Sequence, residues 1–164
     1  MENFKECYPK NKFEKLSGAI SILDERVKNN YPSSNTNNSY IKWSKAFINN
    51  PKEISIDILS DVEIKKIKIL FNSGITNDFF TENKKGFFIN KKEDYYFCLS
   101  KIKSENKSNY INNIDATGIN IPVLIILQNI SMIKESNFSE LDIFCLKIEY
   151  LKKVLNYKPV NIRL

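Results

Sequence analysis

The sequence predicts an α+β fold, a helix-rich single domain with a small antiparallel or mixed sheet. Three observations carry that expectation. Apolar residues recur at three-to-four spacing over 11–27 and 139–155. Ile54, Ile56 and Ile58 alternate with Ser55 and Asp57, the period of a half-buried strand. Two aromatic runs, 86–90 and 95–100, flank Lys91-Lys92-Glu93-Asp94, as in a hairpin with a longer turn. An all-α fold with one β-hairpin is the alternative. At 164 residues the chain has the length of one ordinary domain, expected to span 1–164.

In chain order, the first helix carries Phe13, Leu16, Ala19, Ile20, Leu23 and Val27 on one face. Residues 31–38 hold turn formers and one tyrosine, which reads as a mobile loop. Ser39 can cap a short helix bearing Trp43, Ala46 and Phe47, which stops before Asn49-Asn50-Pro51. The strand at 54–58 follows. Ser60-Asp61-Val62-Glu63 then has the form of a capping box, and Ile64, Ile67, Phe71 and Ile75 extend a helix from it, with Gly74 near its end. A strand over 62–70 competes with that helix, because Val62, Ile64, Ile67 and Ile69 partly alternate.

After the hairpin, 101–118 is polar and carries little signal. Asn120 before Ile121-Pro122 marks a helix start, so 119–133 is read as helix, although its Val and Ile content would also suit a buried strand. Ser139 and Asp142 are spaced as a second capping box, and Leu141, Phe144, Cys145, Ile148, Leu151 and Leu155 share the face of a last helix.

Composition excludes more than it assigns. The chain has no histidine, so Ser-His-Asp and Cys-His nucleophilic sites and HExxH zinc sites are ruled out. Its four glycines form no phosphate-cradling loop, and no cofactor is expected. Cys7, Cys98 and Cys145 have no paired spacing and read as reduced thiols, with Cys98 and Cys145 buried and Cys7 exposed near a frayed terminus. The longest apolar run, Val123 to Leu127, is far too short to cross a bilayer. The opening residues mix charges of both signs and do not read as a secretory signal, so a cytoplasmic location and no membrane partner are expected.

The net charge is +6. Of the 25 basic residues only Arg26 and Arg163 are arginines, and the abundance of Lys, Asn and Ile is that of an AT-rich genome. Scarce arginine weakens specific base recognition. The strongest local feature is the stretch Lys84, Lys85, Phe87, Lys91, Lys92 and Tyr95, which interleaves bases and rings in the way that stacks nucleobases and neutralises phosphates. Lys85-Gly86-Phe87 resembles the opening of the longer signature of the RNA-recognition motif, and Tyr110 to Ile114 resembles part of the shorter one. Phe88 departs from that pattern where a small residue is needed, and the two signatures stand in reversed order.

Trp43 is a second candidate contact, since large aromatics anchor interfaces. Carboxylates offer the only route to a metal. Asp57 with Glu63-Ile64-Lys65, and Glu93-Asp94, are read as a capped helix start and a solvated turn, so no metal or catalytic residue is expected. What remains is a non-enzymatic protein that binds a protein partner, one with an acidic surface given the charge. Inhibitors, immunity proteins and host-interaction factors of phages and mobile elements have this character. The alternative is nucleic-acid binding through the basic-aromatic hairpin at 84–97.

Overall fold

Apolar spacing of three and four residues decides most of this structure. The computed structural model describes residues 2–53, 55–72, 75–83, 86–89, 94–102, 123–132 and 140–156. Within them run helices α1 (Glu2–Cys7), α2 (Lys10–Asn30), α3 (Thr36–Asn49), α4 (Asp61–Asn72), α5 (Thr76–Phe79), α6 (Asp94–Ile102), α7 (Val123–Met132) and α8 (Glu140–Asn156).

α2 starts directly after Pro9 and buries Leu16, Ala19, Leu23 and Val27 along one stripe. Asn35, not Ser39, caps α3, accepting a hydrogen bond from the Asn38 amide at 2.9 Å. The expected loop at 31–38 therefore gives way to helix from Thr36, and Ser39 lies buried inside α3. At α4 the capping box forms as the spacing predicts. The Ser60 amide donates to Glu63 Oε2 at 2.7 Å, and the Glu63 amide donates back to Ser60 Oγ at 3.4 Å.

Helix α8 is the centre of the fold: ten of its 17 residues are buried. α4 lies against α2, α2 against α3, and α3 against α7, so these four form a row, and each of them also touches α8. Beside the row, an aromatic cluster joins α1 to the later elements. The Phe4 ring stands 5.0 Å from Phe144 and 5.8 Å from Tyr95, and Phe79 stands 4.2 Å from Tyr95.

The described fold is helical, which overturns the α+β expectation. Residues 55–60 form no strand. Ile56 and Ile58 are only half-buried, and the Ile58 amide is satisfied by the Tyr150 hydroxyl at 3.1 Å instead of by a neighbouring strand. Residues 95–100 are helix, because Tyr95, Cys98 and Leu99 are the buried positions and their spacing is helical. The aromatic content invited a period-two reading that the packing does not use. Among the described residues the extended pieces β1 (Phe80–Asn83) and β2 (Gly86–Ile89) pair antiparallel only with each other, Phe80 opposite Ile89. That ribbon builds no sheet layer, and it replaces the expected pairing of 86–90 with 95–100.

The cysteine reading is also corrected. Cys7 and Cys98 are joined as a disulfide with their Cα atoms 5.6 Å apart, and only Cys145 is free, buried in α8. The two partners stand 91 residues apart, so no local spacing could announce them. They meet because α1 lies against α6.

Candidate interaction surface

The residues singled out by the sequence fall into three groups. Lys84, Lys85, Lys91 and Lys92 lie outside the described residues. Phe87 sits in β2. Trp43 and Tyr95 are both fully buried, which removes them from the surface. The Trp43 ring packs edge-on against Tyr40 at 6.0 Å and Tyr150 at 5.7 Å. Its indole N–H and the Tyr95 hydroxyl have no hydrogen-bond partner among the described residues. Both rings are core because α3 and α6 turn them inward, and a linear sequence does not show which way a ring on a short helix points.

Ionic groups inside the molecule tie elements together. Asp78 is buried, accepts the Tyr8 hydroxyl at 3.1 Å and pairs with Lys12 at 2.7 Å. Lys12 also lies 3.7 Å from Asp94. In a second cluster Asp24 accepts the Tyr40 hydroxyl at 2.8 Å and pairs with Lys147 at 2.8 Å, linking α2, α3 and α8. Burial pushes the Tyr40 hydroxyl well above the usual phenol range, and the Asp24 charge adds to that, so Tyr40 is held as a donor. Glu149, buried in α8, pairs with Lys152 one turn on.

Of the carboxylates weighed for a metal, Glu93 lies outside the described residues, Asp94 stands beside Lys12, and the other two are engaged elsewhere. Asp57 pairs with Lys153, and Glu63 takes a two-pronged contact from Arg26 at 2.8 and 3.1 Å. Burial pushes the Glu63 carboxyl up, but the hydrogen bonds from Arg26 and Ser60 outweigh it and hold the group down at about 2. No group of three or more metal-binding side chains occurs among the described residues. An open groove of about 580 Å³ runs between α1 and α2, lined by Lys5, Glu6, Lys10, Phe13, Glu14 and Ser17.

The surface carries the clearer signal. Helix α7 buries Val123, Ile126, Leu127 and Ile130, and its opposite face shows Leu124, Ile125 and Met132 at 52, 46 and 70% exposure, with Gln128 and Asn129 between them. These five positions share one side of the helix at spacings of one, four, five and eight. The helix contains no charged residue. Among the described residues this uncharged, mostly apolar helix is covered on one side, and its other side leaves three large apolar side chains in water.

At the other end of the row, α4 exposes Val62 and Ile69 with Lys65 and Lys66 between them. The sequence shows the apolarity of 123–132, and its freedom from charge was the sign to follow. Which side stays uncovered is decided by α3 and α8. No helix among the described residues is long and apolar enough to cross a membrane. Comparison with known protein families, with characterised proteins and with solved structures gives no match.

Proposed function

We propose that the chain is a non-enzymatic binding protein and that the outer face of α7 is the centre of its contact with a protein partner. The observation that supports this is the exposure of Leu124, Ile125 and Met132 on a helix without a single charge. Leaving that face in water forgoes roughly 25 cal/mol for each Å² of apolar surface, which a partner's apolar patch would recover. The two amides in its middle can hydrogen-bond a partner without the desolvation cost of an ion. The chain's net charge of +6 favours a partner with acidic groups at the periphery of its contact. On this reading the protein takes no cofactor and works in the cytoplasm as an inhibitor, immunity protein or host-interaction factor.

The test is an affinity capture from native lysate, with and without nuclease, run in parallel on the wild-type chain and a Leu124→Asp/Met132→Asp variant. A protein that survives nuclease and is lost from the variant, with affinity down roughly a hundredfold or more, supports the proposal. A partner held equally by both chains, or recovery of nucleic acid alone, overturns it. Recovery of nucleic acid alone would favour binding through the lysines of 84–97, a reading that has lost the buried Tyr95 as a stacking platform.

A further inference from the structure

We infer that the Cys7–Cys98 bond is a reducible latch on α1, and that opening it uncovers an aromatic cleft which α1 fills in the oxidised chain. The inference stands apart from the α7 contact and does not depend on it.

Helix α1 has six residues, too few to hold a helical turn without outside contacts. Its hold on the domain is the buried Phe4 ring among Phe13, Tyr95 and Phe144, the Tyr8 ring 5.5 Å from Phe79, the Tyr8 hydroxyl on Asp78, and the disulfide. Of these only the disulfide is covalent. Against the Phe4 ring of α1, the buried hydroxyl of Tyr95 makes no hydrogen bond among the described residues. A cleft whose floor carries a buried polar group without a partner is improved by whatever can reach it, water or a ligand's polar atom. The groove between α1 and α2 already extends to Phe13, and Lys5 and Glu6 of α1 form part of its wall. Releasing α1 widens that groove towards the aromatic rings.

The two sulfurs differ in access. Cys98 is 1% exposed, whereas Cys7 is only half-buried. A thiolate of a dithiol reductant therefore attacks Cys7 Sγ, forming a mixed disulfide and expelling Cys98 as a thiolate that takes up a proton. The second thiol of the reductant then displaces Cys7, which is protonated in turn. Two electrons have passed to the protein, and the dithiol has become a disulfide. Cys145, with no exposed surface, stays out of the exchange. In a reducing cytoplasm the latch stands open, and in an oxidising compartment it stands shut.

The full chain tests this directly, with alkylation read by mass, trypsin as a probe of α1 and a hydrophobic dye as a probe of the cleft. The untreated chain, denatured, should take one label at Cys145, and the chain treated natively with a dithiol should gain two more. Cleavage after the exposed Lys5 and Lys10 should speed up by about tenfold or more on reduction, dye fluorescence should rise, and helical circular dichroism should persist. Cys7→Ser should cleave at the fast rate without any reductant. Three labels on the untreated chain would overturn the bond itself. Loss of the helical signal on reduction and in Cys7→Ser would make the bond a structural staple and overturn the latch, as would unchanged cleavage of the reduced chain.

Discussion

Helices α4 and α7 stand at opposite ends of one row and both show aliphatic side chains to water, yet different forces seat them. α4 is seated by charge as well as by apolar burial: Arg26 and Ser60 grip Glu63 at its first turn, and only Ile67 and Phe71 of its residues are fully buried. α7 has no charge to use and buries Val123, Ile126, Leu127 and Ile130. The contrast teaches which exposed apolar surface asks for a partner. Val62 and Ile69 on α4 are separated by two solvated lysines, whereas the apolar side chains of α7 have only amides between them.

The largest effect should come from α7's inner side. Leu127→Ala empties a fully buried site and should cost about 2–5 kcal/mol in urea denaturation. Because no ion pair anchors that side among the described residues, the loss should be the same at low and high salt. A loss that shrinks strongly with salt would mean that charge seats α7 too, and the contrast would fail.

That contrast was only half legible in the sequence. The capping box at 60–63 could be read because it lies within four consecutive residues and its chemistry is local. The helix expected over 119–133 rested on Asn120 before Ile121-Pro122, because its apolar run suited a buried strand as well; the structure describes helix over Val123–Met132. Its bare face could not be read, since apolar side chains on both sides of the helix do not say which side α3 and α8 will cover. Period-two alternation at Ile54, Ile56 and Ile58 promised a strand, but a strand needs a neighbour to take its amides, and the Tyr150 hydroxyl takes one instead. Trp43 and Tyr95 looked like partner contacts for the reason that makes them good core, a large apolar ring with one polar atom. The Cys7–Cys98 pair joins segments that meet only after α1 and α6 have come together, and such a contact has no signature in a window of sequence.

A smaller effect should come from the charge that seats α4. Glu63 has a folded-state pKa of about 2, below its ordinary 4.5, so its contribution to stability is present above pH 4.5 and is lost as the pH falls towards 2. Arg26 is about a third exposed, so solvent screening reduces the contribution to roughly 1–2 kcal/mol. Glu63→Gln should lose that amount at pH 7 and flatten the acid limb of the stability curve between those two values. An unaltered acid limb in the variant would show that other carboxylates set it. Ser60→Ala removes the other half of the grip and should cost about 1 kcal/mol, read as a shift in the urea midpoint with the slope unchanged.

The smallest effect expected is on α4's outer face, and it bears most directly on the comparison. Val62 and Ile69 are 64 and 61% exposed, so replacing either with Gln should change stability by no more than about 0.5 kcal/mol. If exposed aliphatics as such made the contact, a Val62→Gln/Ile69→Gln chain would lose the captured partner as fully as the α7 variant does. The lysines between them keep that face hydrated, and a scattered apolar side chain is ordinary on a protein surface. Partner affinity should therefore stay within about twofold of wild type by titration calorimetry, a difference below 0.5 kcal/mol. A tenfold loss would move the contact to the other end of the row and leave α7's bare face without the role given to it.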